Sequence, residues 1–267
     1  MSKFCYGPFS SRRLGLSLGV NVLGELKRCT FNCVYCEAGR TIGNELVPPD
    51  YIVDIRPEGF REEVKPILIN LQRDLDSFTF GYNGEPTLNP HLGEFLQIAR
   101  EIKKEIAPGP GDKFPTVTIF TNSTTVTQPE IRQTLSQFDL ILAKLDVGTP
   151  SDLRRVHRPH PNIPSLDEIS QGLVALKQEL PPGHKLAIQT LIFTTRDNLK
   201  GKFREIDIPA WIERIIAVQP HIVQLYSVAR IPAEPFVMAV PTDVLQWIKS
   251  QLLARVRNLE SMDVRVY

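Results

Sequence analysis

Short apolar runs alternate with longer amphipathic patterns along most of the chain. The apolar, β-branched and aromatic runs predict strands, of which the first is at 14–24. Further strands are predicted at 76–82, 116–121, 138–146, 185–193 and 221–228. Helical periodicity predicts helices at 91–106, 128–136, 165–180, 207–218 and 241–257, and another within 58–75. About six strand–helix units in alternation indicate a parallel sheet with helical crossovers.

Several predicted helices begin with a local signal. Pro129, Pro209 and Pro241 stand where helices begin, and proline suits that position because its φ is fixed and it has no N–H. Ser165 and Glu168 match a capping box. The local sequence therefore supports the helical periodicity at four of the predicted helices.

The length of 267 residues fits one large domain. A closed eight-unit barrel needs about 250 residues, but only about six units are visible. We therefore predict a partial (β/α)6 TIM-like barrel, with parallel strands and outer helices, over a flat doubly wound sheet. Residues 1–267 are expected to form this single domain. Within it, 1–25 is a lead-in strand region, 108–115 a loop, and 229–267 a C-terminal helical extension.

The charge balance limits the partners that are expected. The 31 basic and 30 acidic side chains give a formal net charge of +1, whereas a domain that binds nucleic acid through phosphates is usually more basic. Any RNA contact would then need a local basic patch. The candidates for such a patch are Arg12, Arg13, Arg154, Arg155, His157, Arg158 and His160. Their guanidinium groups suit phosphate or carboxylate, and a solvated loop with ordinary salt bridges is the alternative.

Two features of hydropathy predict the cellular location of the protein. The N-terminal segment has no continuous apolar core of signal-peptide length, and no segment approaches the ~20 apolar residues of a membrane span. We expect a cytoplasmic protein without a membrane partner, in a compartment where thiols stay reduced.

Three of the four cysteines lie within eight residues. Cys29, Cys33 and Cys36 form a CxxxCxxC array, and only Cys5 lies outside it. Free structural thiols are one interpretation, and a zinc site with a fourth ligand from Cys5 or a histidine is another. The third is an iron–sulfur cluster held by three thiolates, which leaves one iron open for chemistry.

The array, with Tyr35 just before its last cysteine, resembles the signature of the radical S-adenosylmethionine (radical SAM) superfamily. The resemblance implies that Cys29, Cys33 and Cys36 ligate a [4Fe–4S] cluster whose open iron binds S-adenosylmethionine, and that Tyr35 contacts this cofactor. It also implies reductive cleavage of S-adenosylmethionine to a 5′-deoxyadenosyl radical, which abstracts hydrogen from a substrate. An electron donor such as a flavodoxin or ferredoxin is then an implied partner. The basic residues that flank the array, Lys27, Arg28 and Arg40, are candidates to offset the charge of the cluster, and the alternative is that they only keep the loop soluble.

Two strand ends resemble further motifs of this superfamily. GYNGEPTL (81–88) is similar to its glycine–glycine–glutamate motif, which implies that Gly84 and Glu85 bind the methionine end of the cofactor. FTNSTT (120–125) is similar to its Thr-Asn-Gly-type strand end, which implies that Asn122 and Ser123 bind ribose hydroxyls. Ser123 replaces the commoner glycine, which puts the local backbone in doubt. An ordinary loop and an Asx or Ser/Thr turn are the alternatives.

The remaining candidates lie on the last three predicted strands. Lys144 and Asp146 share a face with Leu142 by period two. Lys144 is a candidate to pair with the methionine carboxylate, and Asp146 to orient it or to bind substrate. An internal salt bridge between the two is the alternative. The resemblance places Gln189 and Tyr226 where the family contacts ribose and adenine. Val228 is assigned to the same contact or to the core.

Segments outside these motifs resemble one branch of the superfamily. YGPFSSRRLGLSLGVNVL, HRPHP (157–161) and VQLYSVARIPAEPF (223–236) are similar to Fe–S oxidoreductases of the wyosine-synthase type. A tRNA base is therefore the first substrate candidate, and a small molecule or peptide the second. Wyosine synthases carry a second cluster on cysteines upstream of the array. Because only Cys5 is available here, no second, fully ligated cluster is expected, which argues against simple transfer of the tRNA activity. The rival class is a non-catalytic metalloprotein, either an iron–sulfur redox sensor or a zinc-stabilised binding module.

Overall fold

The computed structural model describes residues 3–71, 74–109, 111–196, 206–256 and 262–267. The strands in these ranges are β1 Cys5–Ser11, β2 Gly15–Val20, β3 Ser77–Phe80, β4 Thr116–Thr121, β5 Leu140–Lys144, β6 Lys185–Leu191, β7 Phe193–Thr195, β8 Ile222–Tyr226, β9 Val237–Ala239 and β10 Asp263–Val266. The α-helices are α1 Phe60–Leu71, α2 Leu92–Ile106, α3 Pro129–Leu135, α4 Pro150–Asp152, α5 Leu166–Glu179, α6 Ile208–Val218 and α7 Thr242–Arg255. A π-helical turn, Leu153–His157, continues α4.

Eight of these strands form one sheet in the order β1-β2-β3-β4-β5-β6-β8-β10. β1 pairs with β2 in antiparallel orientation, and all the pairs from β2 to β10 are parallel. Spatial order follows chain order, as expected for successive strand–crossover units. β1 and β10 are the two ends of the sheet, so the barrel is open on one side. The predicted α/β class with a partial barrel is confirmed.

The six predicted strands correspond to β2, β3, β4, β5, β6 and β8. The lead-in region contains an additional strand, β1, at the edge of the sheet. The segment 229–267, for which a helical extension is predicted, contains α7 but also β9 and β10. β10 extends the main sheet beside β8, and β9 pairs with β7 in a separate antiparallel ribbon. Residues 1–2, 72–73, 110 and 257–261 of the predicted segments lie outside the described residues.

The predicted helix signals are present at the expected ends. Ser165 Oγ accepts a hydrogen bond from the N–H of Glu168 at 3.2 Å, and Glu168 accepts one from the N–H of Ser165 at 2.8 Å, which completes the capping box. Pro129 and Pro209 lie in the first turns of α3 and α6, and Pro241 immediately precedes α7. No helix in the described parts of the chain is long and apolar enough to cross a membrane.

The two faces of the sheet have different surroundings. On the outer face, apolar side chains such as Val20, Phe80 and Ile119 are buried against the helices. On the inner face, Leu142, Ala187 and Ile222 form a separate small cluster. A row of hydrogen-bonded hydroxyl groups from Ser17, Ser77, Thr79 and Thr118 is buried on neighbouring strands. Side chains alternate along a strand, and Lys144, Gln189 and Tyr226 lie an even number of residues after Leu142, Ala187 and Ile222. These three polar residues, near the C-terminal ends of β5, β6 and β8, therefore share this inner side.

Candidate active site

The three clustered cysteines lie in the long connection between β2 and α1. Cys29 is fixed by backbone pairing with the segment that follows the array: its N–H donates to the carbonyl of Glu45, and its carbonyl accepts from the N–H of Val47, both at 3.0 Å. This parallel bridge fixes the position of Cys29, the first cysteine of the array.

Gly84 holds the same loop from the side of β3. The N–H of Arg28 donates to the carbonyl of Asn83 at 3.1 Å, and the N–H of Glu85 donates to the carbonyl of Arg28 at 2.9 Å. A Cβ atom on Gly84 would lie 1.7 Å from the Arg28 carbonyl oxygen, and its φ is +130°. Only glycine permits this contact and this conformation. The predicted motif after β3 is therefore attached directly to the cysteine loop.

The π-helical turn Leu153–His157 supports the other side of the loop. The N–H groups of Asn32 and Val34 donate to the carbonyls of His157 and Val156 at 2.8 and 2.9 Å. The His157 imidazole is stacked on Phe31, with ring centroids 4.7 Å apart. Burial lowers the pKa of His157 to about 4, so the ring is neutral near pH 7. His157 is thus part of the loop support rather than a residue of an exposed basic patch.

Each cysteine sulfur of the array has a different polar neighbour. Asn122 Nδ2 lies 3.4 Å from Cys29 Sγ, His157 Nδ1 lies 3.1 Å from Cys33 Sγ, and Lys27 Nζ lies 3.4 Å from Cys36 Sγ. Lys27 is itself buried. Burial, together with Glu85 and Cys36, raises the pKa of Cys29 to about 11. Burial, together with the neighbouring thiols, raises the pKa of Cys33 well above its ordinary value. Nearby cationic and hydrogen-bonding groups are the surroundings that ionised thiolate ligands require.

This donor set fits a cluster with one open position. Three thiols come from a single loop, and the fourth thiol, Cys5, is buried on β1, where burial and Glu63 raise its pKa to about 12. Within the described ranges, no three or more His, Cys, Asp or Glu side chains are arranged to hold a single metal ion. The fit to a cluster therefore depends on the three sulfurs and their polar neighbours.

Glu85 is fully buried between the ends of β3 and β4. One carboxylate oxygen accepts from the N–H of Asn122, and the other accepts from the hydroxyl of Thr87 at 2.7 Å and from its N–H at 3.2 Å. Burial raises the pKa of Glu85 despite these bonds. The carboxylate thus positions Asn122, and a direct contact of Glu85 with a cofactor stays a prediction.

Asn122 and Ser123 are held by different contacts at the end of β4. Asn122 donates to Thr30 Oγ1 at 2.8 Å, and its Oδ1 accepts from the N–H of Thr124 at 3.0 Å, which is an Asx-type turn. Ser123 has a φ of +73°, the conformation that glycine favours, and its hydroxyl donates to the carbonyl of Lys144 at 2.9 Å. The serine therefore adopts the backbone conformation that is easiest for the commoner glycine.

Lys144 and Asp146 form a buried network above the inner apolar cluster. Lys144 Nζ lies 2.8 Å from Asp146 Oδ1 and donates to the Tyr226 hydroxyl at 2.9 Å. Asp146 also accepts from the Tyr35 hydroxyl and, at 2.6 Å, from the N–H of Leu191. Burial alone would lower the pKa of Lys144, but Asp146 and Tyr226 raise it above its ordinary value. The internal salt bridge is present, and it joins the cysteine loop to β5, β6 and β8.

Gln189 is buried on the inner side of β6. Its Nε2 donates to Gln224 Oε1 at 2.7 Å, and the two residues are partners in the β6–β8 register. Lys144 is the register partner of Gln189 on β5. Val228, in contrast, follows the end of β8 and packs against the main core. Gln189 and Tyr226 therefore lie on the side of Lys144, whereas Val228 belongs to the core.

Two arginines of the predicted basic patch, Arg155 and Arg158, are ion-paired. Arg158 and Arg40 both contact Glu234, the latter at 2.8 Å, and Arg155 contacts Asp152. These contacts favour the alternative of a loop with ordinary salt bridges for the segment that follows β5.

Comparison with known families agrees with this geometry. A model of the radical SAM superfamily matches residues 26–198, more than half of the chain. The chain belongs to the radical SAM superfamily. Membership confirms the predicted cofactors, because radical SAM proteins use a [4Fe–4S] cluster and S-adenosylmethionine.

Relatives of this radical SAM chain include two UPF0026 proteins. One, from Methanocaldococcus jannaschii, is 29% identical over 90% of this chain and 68% of its own length. The other, from Synechocystis sp., is 29% identical over 82% of this chain and 73% of its own length.

Solved structures share the radical SAM fold. TYW1 with a lysine–pyruvate adduct bound has a TM-score of 0.60 at 14% identity and covers 90% of this chain and 73% of its own. Streptococcus suis SuiB bound to S-adenosylmethionine has a TM-score of 0.58 at 12% identity, with 91% and 48% covered. The fold likeness thus includes both TYW1 and SuiB.

Sequence reasoning missed three side chains of this radical SAM site. Gln224 lies two residues before Tyr226, so strand periodicity contained a signal for it. Thr30 and Glu234 had no signal, because their roles depend on contacts with Asn122 and with two arginines from distant segments.

Proposed function

We propose that this chain is an enzyme that cleaves S-adenosylmethionine reductively and uses the 5′-deoxyadenosyl radical to abstract hydrogen from a substrate. The [4Fe–4S] cluster supplies, when bound, the electron for that cleavage. The observation that carries the proposal is that Tyr35, from the cysteine array, donates to Asp146 in the same network as Lys144 and Tyr226. The candidate cluster ligands and the candidate cofactor residues therefore share one network.

The cysteine loop has the first role in this proposal. Cys29, Cys33 and Cys36 are the proposed cluster ligands, and Lys27 partly offsets the negative charge at Cys36. The pairing of Cys29 with residues 45–47 and of Arg28 with Gly84 would hold the three cysteines in position for a cluster that has one iron without a protein ligand.

The strand ends have the second role. Gly84 and Glu85 are proposed at the methionine end, where Glu85 acts partly by positioning the N–H of Asn122. Lys144 is the proposed cationic partner for the methionine carboxylate, because its pKa is raised and it stays charged. The side chains proposed for the ribose and adenine are Asn122, Ser123, Gln189 and Tyr226, and Tyr35 connects them to the cluster loop.

A tRNA base is the first substrate candidate, and a small molecule or peptide the second. The neighbouring structures include TYW1 with a lysine–pyruvate adduct and SuiB bound to the precursor peptide SuiA, so members of this fold are found with quite different molecules. The electron donor is proposed to be a flavodoxin or ferredoxin, in the cytoplasm.

The test is anaerobic reconstitution with iron and sulfide, followed by dithionite and S-adenosylmethionine, with 5′-deoxyadenosine measured by chromatography. We expect product from the wild type and none from Cys29→Ala. Cys5→Ala is the matched control, because it removes a buried thiol outside the array, and it should bind iron and form product as the wild type does. Equal product from Cys29→Ala and the wild type would contradict the proposal.

Elemental analysis separates the rival class. Zinc near one per chain without sulfide would indicate a zinc-stabilised binding module. A reconstituted cluster that leaves S-adenosylmethionine intact under dithionite would indicate a redox sensor.

A further inference from the structure

The turn between β1 and β2 reaches across the open side of the barrel. The sheet order places four strands between β2 and β8. Nevertheless, Arg12 Nη2 donates to the carbonyl of Ser227, just after β8, at 3.4 Å. The guanidinium carbon of Arg13 lies 3.9 Å from the ring centroid of Tyr226 on β8. Leu14 packs on the inner apolar cluster. The turn thus brings Arg13 to the inner side of the barrel.

In this position, Nη1 of Arg13 is a hydrogen-bond donor without an acceptor among the described residues. The atom is buried, and within the described ranges only Thr41 Oγ1 shares this state. A guanidinium group carries five N–H donors, and a buried donor without an acceptor is costly. Stacking on Tyr226 satisfies the face of the guanidinium, but the N–H groups at its edge need an oxygen.

The charges nearby favour an anion as that acceptor. Lys144 and Arg13 both contact Tyr226. Asp146, the carboxylate of the network, already accepts from Lys144, Tyr35 and the N–H of Leu191. Two cations therefore flank Tyr226 beside one carboxylate that is committed to other donors. An incoming carboxylate or phosphate group would balance this charge and accept from Arg13 in a bidentate geometry.

We propose that Arg13 binds the anionic group, a carboxylate or a phosphate, of a small-molecule substrate inside the barrel. The inference rests on the proposed function, in which Tyr226 contacts the adenosyl part of the cofactor. Stacking of Arg13 on that ring places the anion next to the position where hydrogen would be abstracted. The buried position of Nη1 favours the second of the proposed substrate classes, a small molecule, over a tRNA base, because a phosphate in an intact nucleic-acid backbone stays at the surface.

The experiment measures anion binding rather than turnover. The cluster-reconstituted protein with S-adenosylmethionine is heated in inorganic phosphate or in acetate, with chloride at the same ionic strength as reference. We expect the unfolding midpoint to rise specifically with one or both anions, and their comparison distinguishes a phosphate from a carboxylate site. Arg13→Gln should weaken the apparent affinity by about 10- to 100-fold, the loss expected for a charge-assisted hydrogen bond.

Two further variants separate this role from a structural one. Arg56→Gln, at an exposed arginine that pairs with Asp54, should keep the anion-specific shift, and Arg13→Lys should retain part of it. The proposal is overturned if neither anion shifts the wild type more than chloride, or if Arg13→Gln shifts as the wild type does. If wild-type protein responds to anions but does not form 5′-deoxyadenosine with dithionite, the proposed function fails instead.

Discussion

At the scale of single residues, the sulfur atoms of the array differ in their neighbours. Cys29 has an amide, Cys33 a neutral imidazole and Cys36 an ammonium group near its Sγ. Hydrogen bonds and charge near ligand sulfurs tune the potential of a cluster. The sequence predicted the cysteines and raised Lys27 as a candidate, because both lie in one short segment. It could not predict that Asn122 or His157 would reach the sulfurs, since those contacts cross about a hundred residues of chain.

Ser123 offers a test of backbone conformation at this site. Ser123→Ala loses the hydrogen bond to the Lys144 carbonyl and keeps the positive φ, whereas Ser123→Gly loses the same bond but adopts that φ without strain. We expect the alanine variant to be less stable than the glycine variant by about 1 kcal/mol. Urea unfolding of the two proteins measures the difference. Greater stability of the alanine variant would contradict the assigned backbone conformation.

At the scale of elements, the strands with continuous apolar runs were the ones that the sequence predicted. β1 contains Gly7 and Pro8 and has a register shift between Tyr6 and Phe9, so it does not read as a strand, and it is placed at the sheet edge where proline is tolerated. β10 has four residues, too few to establish a period. The parallel core could be predicted from the pattern, but these two ends of the sheet depend on pairing partners that are distant in sequence.

The connection between Gly84 and Arg28 predicts a sensitive glycine. Gly84→Ala would place a methyl group against the Arg28 carbonyl and separate the cysteine loop from the end of β3. Gly59→Ala is the control, because Gly59 also has a positive φ, +83°, but has open space around its Cβ. We expect Gly84→Ala to lose about 1–3 kcal/mol more stability than Gly59→Ala, and also to bind less iron on reconstitution. Urea unfolding and iron analysis check this, and equal losses in both variants would contradict it.

His221, between α6 and β8, predicts a pH dependence. Its Nδ1 accepts from the N–H of Leu186 at 3.0 Å, and burial, with Lys177 and Lys185, lowers the pKa of His221. A folded-state pKa below the unfolded value means that this contribution to stability is complete above about pH 6.5 and is lost as the pH falls through the folded-state pKa.

His221→Asn keeps an acceptor near the Nδ1 position but does not titrate. We therefore expect wild type and variant to have similar unfolding free energies at pH 7.5, and the wild type to lose more stability between pH 7 and pH 5. Denaturant unfolding across this pH range measures the difference in unfolding free energy between the wild type and His221→Asn. The titration of all other groups is common to both proteins and cancels in this difference. Parallel pH profiles for the two proteins would exclude the role of His221.

At the scale of the whole molecule, the site depends on segments that the sequence separates widely. The cysteine loop, the end of β5, the turn Leu153–His157 and the end of β6 all meet at Asp146. The sequence could predict that Asp146 and Lys144 share a face, and that prediction agrees with their contact. It could not predict that Tyr35 and Leu191 donate to the same carboxylate, because a local sequence pattern contains no information on contacts between such distant segments.

This convergence predicts a large effect of one isosteric change. Asp146→Asn preserves the shape of the side chain but leaves Lys144, which is mostly buried, without its anionic partner. Removal of one member of a buried ion pair costs about 3–5 kcal/mol, so we expect a loss of that order in the free energy of unfolding. Glu179→Gln, in the helix-to-helix pair with Arg132, is the control, because the Glu179 side chain is 41% exposed. It should lose only about 0–1 kcal/mol. Urea unfolding of the apoproteins under anaerobic conditions compares the two variants. Similar losses would mean that Asp146 does not hold these segments together, since its charge would then be no more important to the fold than that of a surface carboxylate.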